Sequence, residues 1–247
     1  QFADAPLEQL SGGELQRALA AGMPAADIVF SGVGKQHWEL VRALDAGIGQ
    51  FNLESEEEGE ELAALAAARG IAAPCALRVN PDVDAGTHDK ISTGKADNKF
   101  GVPIGEAAAI YARLAKLPGL EMRGLAVHIG SQLSDLAPLE RAFGKLGQLL
   151  AEVRAAGLEV THVDLGGGLG VPYKPGDAMP SPAEYGAMVA RVTEGWGVEL
   201  MFEPGRVIAG NAGVLLPRGV RVKRGINDPF VIVDAAMTGH ARPAVYG

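Results

Sequence analysis

Six short apolar runs alternate with longer segments of helical composition between residues 28 and 202. The runs are residues 28–30, 51–53, 76–79, 124–129, 161–163 and 198–202. Runs of this length are typical of buried strands, and the segments between them are long enough for helices. Repeated strand–helix–strand units favour parallel strands joined by crossovers of one hand. The alternation therefore predicts an α/β fold.

Glycines and capping residues mark the limits of the predicted helices. Ser55 and Glu58 have the spacing of a capping box, which opens a helix that runs to Arg69 and stops at Gly70. The other helices are predicted over residues 36–46, 105–116, 136–156 and 182–194. A further capping box before the first strand predicts one more helix near Ser11.

A closed (β/α)8 barrel needs eight strands, two more than the six predicted here. We therefore predict a TIM-type barrel that is incomplete at its N-terminus, with an open doubly wound sheet as the alternative. Residues 214–223 and 230–234 look like strands with no helix between them. The predicted domains are a barrel over residues 1–213 and the beginning of a C-terminal β-domain over residues 214–247.

Composition narrows the classes of partner. The net charge is −8, which argues against binding to nucleic acid or to an anionic membrane surface. No apolar run approaches the roughly 20 residues of a membrane span. The single cysteine, Cys75, has no internal disulfide partner, so we expect the protein to be located in the reducing cytoplasm. The five histidines are dispersed, and no metal site is predicted.

Two glycine-containing loops follow predicted strands, Asp164-Leu165-Gly166-Gly167-Gly168-Leu169-Gly170 and Glu203-Pro204-Gly205-Arg206. Glycine lets backbone N–H groups approach a ligand with no Cβ in the way, and clustered N–H groups suit a phosphate. Each loop alone is also compatible with a simple tight turn. Together, after His128-Ile129-Gly130-Ser131-Gln132 at another strand end, they favour one phosphorylated cofactor at the mouth of a barrel.

Several side chains near these strand ends suit a flat, charged ligand. His128 can stack on a planar ring, although a lone histidine at a strand end is often structural. The Ser131 hydroxyl is a good phosphate ligand, and Glu203 can pair with a protonated pyridine nitrogen. Arg206 and Arg242 can each present a guanidinium fork to a carboxylate or a phosphate.

The polar loop over residues 82–101 is long for a compact domain. Loops of this length are usually functional or mobile, and a plain surface excursion is the alternative. The polar residues of this loop include His88, Lys90, Lys95, Asn98 and Lys99.

These motifs resemble those of the pyridoxal-phosphate decarboxylases of fold type III, which have an alanine racemase-like barrel. The matching segments are residues 11–15, 30–35, 51–55, 78–81, 88–94, 99–101, 128–132, 164–170, 203–206 and 242–247. The loop His88-Asp89-Lys90-Ile91-Ser92-Thr93-Gly94 and the segment His128–Gln132 favour the diaminopimelate decarboxylases over the ornithine and arginine enzymes.

The resemblance implies pyridoxal 5'-phosphate as cofactor and a role for each matching residue. His128 would stack on the cofactor ring, and Glu203 would meet the ring nitrogen. The phosphate and the rest of the cofactor would be held by Ser131, Gly166, Gly167, Gly168, Pro204, Gly205 and Arg206. The substrate carboxylates would lie near Arg206, Arg242 and Tyr246.

The implied reaction is loss of the α-carboxylate from the D-centre of meso-diaminopimelate, which gives L-lysine, in a cytoplasmic homodimer. A decarboxylase of the ornithine or arginine type is one alternative. A non-catalytic relative that binds a phosphate ligand or a partner protein is the other.

The chain departs from the family pattern at two functional motifs. It contains no Tyr-Ala-x-Lys-Ala-Asn-like motif, which carries the Schiff-base lysine in the family, and no Cys-Glu-Ser motif of the C-terminal domain. Lys35 and Lys90 match other family positions, so neither is assigned the role of the tethering lysine.

We therefore predict that the 247-residue chain by itself does not decarboxylate meso-diaminopimelate. The measurement is lysine formation by the purified chain after addition of pyridoxal phosphate. Turnover by this chain would contradict the prediction.

Overall fold

The structure, a computed structural model, describes residues 19, 21–86, 93–94, 98–226 and 228–235. The chain divides into two compact units, residues 1–206 and residues 207–247. The domain boundary predicted after residue 213 stays a prediction.

The first unit is built on a parallel sheet. Its strands are β1 (Val29–Phe30), β2 (Gln50–Leu53), β3 (Ala73–Asn80), β4 (Val102–Pro103), β5 (Leu120–Val127), β6 (His162–Asp164) and β7 (Glu199–Met201). Six of them pair in the order β1-β2-β3-β5-β6-β7, and β4 pairs with the end of β3. The six predicted strands are therefore all present, and β4 is an addition that the pattern did not indicate.

Helices connect successive strands of this sheet. They are α1 (His37–Ala46), α2 (Glu56–Ala67), α3 (Ile104–Leu114), α4 (Ala137–Ala155) and α5 (Pro182–Val192), and the short α6 (Arg206–Ala209) follows the last strand. The first five match the predicted helices to within about two residues at each end, which is the usual uncertainty of helix limits. The last was not predicted.

The parallel sheet curls into the arc of a barrel. Neighbouring strands lie about 4.8 Å apart, so in a flat sheet β2 and β6 would be about 14 Å apart. The Asn52 side chain on β2 nevertheless donates to Asp164 on β6 at 3.0 Å. Only a curled sheet brings these two strands face to face, so the barrel prediction is confirmed and the open doubly wound sheet is wrong.

Side chains on β2 alternate between two buried environments. Phe51 and Leu53 belong to the apolar core. Gln50 and Asn52 point the other way, toward the inside of the arc, and are equally buried. This period of two is the ordinary geometry of a strand. The inner face of the arc is therefore polar, whereas the apolar core includes the outer strand face and helix residues such as Leu114.

The predicted capping box at α2 forms only in part. Ser55 Oγ accepts from the Glu58 backbone N–H at 3.2 Å, as a helix cap does. The Glu58 carboxylate does not return to the cap, because it binds the Lys35 ammonium at 2.6 Å. Lys35 also donates to the backbone oxygens of Gly32 and Asn52, both at 2.8 Å. This lysine therefore ties the loop after β1 to the start of α2.

The second unit contains an antiparallel pair, β8 (Gly219–Lys223) and β9 (Phe230–Val233). The strand predicted from residue 214 begins only at Gly219, because Pro217 has no N–H to donate to a ladder. In the part of the chain that the structure describes, no helix is long and apolar enough to cross a membrane.

We expect Lys35→Met to lower the free energy of unfolding by about 3 kcal/mol or more, because it leaves the Glu58 carboxylate buried without its ion pair. The side chains of Lys35 and Glu58 are 1% and 12% exposed. Urea unfolding measures the loss, and Lys35→Met/Glu58→Gln should recover part of it.

Arg113→Met is the matched control, since it removes an exposed ion pair with Glu56, which lies on α2 as Glu58 does. It should change stability little. Equal losses in the Lys35 and Arg113 variants would contradict the structural importance of the buried pair.

Candidate functional site

A cavity of about 100 Å³ lies at the carboxyl ends of the parallel strands. Its lining residues are Ser31, Asn52, Arg78, Ala126, Val127, His128, Asp164 and Glu203. They come from β2, β3, β5 and β6 and from the segments that follow β1, β5 and β7. Loops at this end of a parallel barrel are where active sites of such folds form.

The glycine run is hydrogen bonded to the residues around it. Gly166 N–H donates to Asp164 Oδ1 at 2.8 Å, and Gly167 N–H donates to His128 Nδ1 at 3.2 Å. The Glu203 N–H donates to the Gly166 oxygen at 2.8 Å. These bonds join the ends of β5, β6 and β7 into one assembly at the cavity.

Glycine is required in this run by close approach of neighbouring backbone. A Cβ on Gly167 would lie 2.1 Å from the Glu203 carbonyl oxygen, and one on Gly168 would lie 2.2 Å from the Gly130 oxygen. Real Cβ atoms do not come so near. Gly168 also has a φ of +110°, a conformation that other residues rarely adopt.

His128 is a neutral histidine in this site. Burial lowers its pKa to about 4, and the nearby Arg78 guanidinium acts in the same direction. Its Nδ1 accepts the hydrogen bond from Gly167, so the ring proton of the neutral form is on Nε2. Just after this residue, Gln132 has a φ of 59° and its side chain binds both the N–H and the C=O of Val171.

Glu203 has a carboxyl group that resists ionisation. Loss of water on its cavity side raises its pKa, and the negative Asp164 carboxylate beside it adds to the rise. Ser31 Oγ donates to Glu203 Oε1 at 3.1 Å. A carboxyl in this state is well suited to face a group that can share or accept a proton.

Arg78 brings a positive charge to the cavity wall. Its guanidinium donates to Glu54 Oε1 at 2.5 Å, and both side chains are less than a tenth exposed. Glu54 also accepts from the backbone N–H groups of Gly32 and Gly101 at 3.1 and 2.9 Å. Phe100 lies under the guanidinium, 5.0 Å from its ring centre. The buried pair is thus fully embedded.

Arg206 has a donor to spare. Its Nη1 donates to the Tyr173 hydroxyl, and the guanidinium lies 5.8 Å from the centre of that ring. Its Nε is buried and has no partner among the described residues. An unpaired buried donor of this kind is what a carboxylate or phosphate ligand would satisfy.

The other predicted site residues are less informative. Ser131 is half-buried, and Pro204 and Gly205 are exposed. Arg242 and Tyr246, with His88, Lys90 and Lys95 of the long loop, lie outside the described residues.

The sequence matches the family described as "Pyridoxal-dependent decarboxylase, pyridoxal binding domain" over residues 5–210. The chain belongs to this family. Membership confirms the predicted resemblance and, at the level of the family, the pyridoxal cofactor.

Two similar proteins and one solved structure share the name diaminopimelate decarboxylase. The chain is 50% identical over 238 residues to a diaminopimelate decarboxylase of Zymomonas mobilis and 49% identical to one of Pseudomonas fluorescens. These matches cover 96% of the chain but only 56% and 57% of the relatives. A crystal structure of diaminopimelate decarboxylase from Helicobacter pylori complexed with L-lysine superposes with a TM-score of 0.90 at 38% identity. It covers 95% of this chain and 59% of that one.

The residues present fit a pyridoxal group. Glu203 places a carboxyl in the same cavity as the flat His128 ring, and Arg206, three residues further along the chain, offers an unpaired buried donor. Sequence reasoning did not select Ser31, Asn52, Arg78 and Asp164 as site residues. Their position at strand ends is the signal that could have found them.

The neutral state of His128 predicts a pH dependence of stability. The unfolded chain protonates this ring near its ordinary pKa of 6.5, whereas the folded chain does so only near 4. The free energy of unfolding should therefore decrease by up to about 3 kcal/mol as the pH falls from the first value to the second. His128→Asn removes the titrating ring and should flatten this part of the profile in urea unfolding. Parallel profiles for the two proteins would refute the assignment.

Gly167→Ala should destabilise the protein by about 1–3 kcal/mol, because the new methyl group overlaps the Glu203 carbonyl oxygen. Gly144→Ala in α4 is the control, since a Cβ there meets open space. Alanine is the better helix former, so the control should gain about 0.5–1 kcal/mol. Thermal or urea unfolding of both variants decides, and an unaffected Gly167→Ala would show that the loops are not in such close contact.

Proposed function

We propose that the protein that carries this chain decarboxylates meso-2,6-diaminopimelate to L-lysine with pyridoxal 5'-phosphate. The observation that carries the proposal is the placement of Glu203 in one cavity with His128, beside the glycine run. The chain spans a little over half the length of the curated relatives it matches. The name of these relatives, diaminopimelate decarboxylase, supports the choice of substrate.

The cofactor, when bound, supplies an acceptor for the electron pair that the departing carboxylate leaves behind. The side chains of the protein would orient the cofactor and place charged or neutral groups beside it. The neutral His128 ring would cover one face of a planar ligand without adding a positive charge. Glu203 would hold a proton or a negative charge at a ring nitrogen. Ser131, Gly168 and the backbone at Gly205 and Arg206 would hold the phosphate.

We assign recognition of the substrate carboxylates mainly to arginine side chains. Arg206 would bind a substrate carboxylate through the guanidinium edge that includes the unpaired Nε. Arg242 and Tyr246 are proposed as further contacts on the resemblance alone. Lysine biosynthesis, a cytoplasmic location and a homodimer likewise follow from the resemblance, and analytical ultracentrifugation of the native protein tests the last.

The test is release of CO2 and formation of L-lysine from meso-diaminopimelate by the native protein loaded with pyridoxal phosphate. Ornithine and arginine serve as competing substrates. We expect meso-diaminopimelate to be preferred, and Glu203→Gln to reduce turnover by at least about 100-fold because the charge opposite the ring nitrogen is lost.

Gly144→Ala, which lies outside the cavity, should leave turnover unchanged. Preference for ornithine or arginine would replace the proposed substrate. Absence of CO2 from all three substrates, with cofactor bound, would support the non-catalytic alternative.

A further inference from the structure

A chain of polar side chains crosses the inside of the barrel arc. It begins at His162, whose Nε2 is hydrogen bonded to Gln50 Oε1. Gln50 Nε2 donates to Asn52 Oδ1 at 2.6 Å. The Asn52 amide nitrogen donates to Ser31 Oγ at 2.8 Å and to Asp164 Oδ2 at 3.0 Å. Asn52 is 2% exposed and Asp164 is 1% exposed, so water does not compete for the bonds that join Asn52 to Gln50 and to Asp164.

The partners fix the direction of every bond in this chain. Asn52 Oδ1 already accepts from Gln50, so the Asn52 NH2 group must face Ser31 and Asp164. Gln50 Oε1 in turn requires a donor, which is the Nε2–H of His162. The Thr161 hydroxyl lies 3.1 Å from the other ring nitrogen of His162. Neither amide can rotate by half a turn without facing donor to donor or acceptor to acceptor.

The two branches beyond Asn52 meet again at Glu203. Ser31 Oγ accepts from Asn52, which leaves its own hydrogen free to donate to Glu203 Oε1 at 3.1 Å. Asp164 accepts from Gly166 N–H on one oxygen and from Asn52 on the other. The Asp164 and Glu203 carboxyl groups line the same cavity, and the nearby Asp164 charge contributes to the raised pKa of Glu203.

This arrangement determines where a shared proton resides. Asp164 accepts an N–H hydrogen bond on each of its two oxygens, whereas Glu203 accepts one hydrogen bond, from Ser31. Hydrogen bonds from donors favour the charged form of a carboxyl, so the pair favours a proton on Glu203 over one on Asp164. A carboxylate next to a second carboxyl can be accommodated when that carboxyl is protonated. Glu203 has one oxygen occupied by Ser31, so its other oxygen can carry the proton and donate to Asp164.

We propose that Asn52 is a positioning residue, which orients Ser31 and Asp164 so that the proton of the carboxyl pair is held on Glu203. The inference deepens the proposed function and rests on it, since it gives Glu203 a proton to share with a ring nitrogen. If a bound pyridoxal ring nitrogen took this proton, one O–H bond of Glu203 would be exchanged for one N–H bond, and no proton would be taken from solvent.

The first test needs no cofactor. Infrared spectra of the native protein, labelled with 13C-glutamate, are compared with those of its Glu203→Gln variant. We expect a protonated carboxyl band near neutral pH that shifts with the glutamate label and disappears in the variant. A band that shifts instead with 13C-aspartate, or the absence of a band that depends on Glu203, would overturn the inference.

The second test reads the ring nitrogen directly. The 15N shift of bound, 15N-labelled pyridoxal phosphate is followed against pH in the wild type, in Asn52→Leu and in Leu53→Ala. Leu53 is the next residue of the strand and points into the apolar core, so its variant controls for lost packing. We expect the ring nitrogen of Asn52→Leu to lose its proton about one pH unit or more below the other two.

The outcomes separate the two proposals. Equal ring-nitrogen pKa values in Asn52→Leu and the wild type would overturn the positioning role while leaving the proposed function intact. Failure of the wild type to bind pyridoxal phosphate would refute the proposed function, and the infrared test would still decide where the proton resides. The infrared test also applies if Asn52→Leu does not fold.

Discussion

The site depends on the curl of the parallel sheet, because its residues belong to strands that are not neighbours. Ser31 follows β1 and Glu203 follows β7, at opposite ends of the strand order, yet their side chains are hydrogen bonded. In a flat sheet they would be separated by about 24 Å. The curl is thus what converts scattered strand ends into one cavity, and the polar contacts across it hold the arc in that shape.

Because the interior of the barrel is polar, the fold is stabilised mainly by other parts of the structure. Buried amides and carboxylates contribute little net free energy even when they are fully paired, and they are costly when a partner is lost. The apolar residues of this chain accordingly pack where strands meet helices, as Leu62, Leu114 and Leu146 do. The outer layer supports the fold, and the inner layer is available for chemistry.

Much of the fold could be predicted from the sequence, since runs such as residues 161–163 and the glycines after helices are local signals. The candidate site was predictable where glycine and charge occur together, as at Gly166 and Glu203. The polar residues that face the inside of the arc were not predictable. Asn52 and Phe51 are equally buried, and a four-residue strand does not reveal which of its faces points toward the centre. The buried position of Lys35 was not predictable either, because its partners are two backbone oxygens and a glutamate distant in sequence.

The close contact of the glycine run with both neighbouring loops has a consequence for how such a protein can change over evolutionary time. Gly167 lies against the backbone of Glu203, and Gly168 lies against that of Gly130. A side chain gained at one loop requires a backbone shift in another, so single substitutions here are penalised before any compensating change can occur. Divergence toward new ligands is therefore expected to begin at residues without such close backbone contacts, while the three glycine-lined strand ends are inherited together.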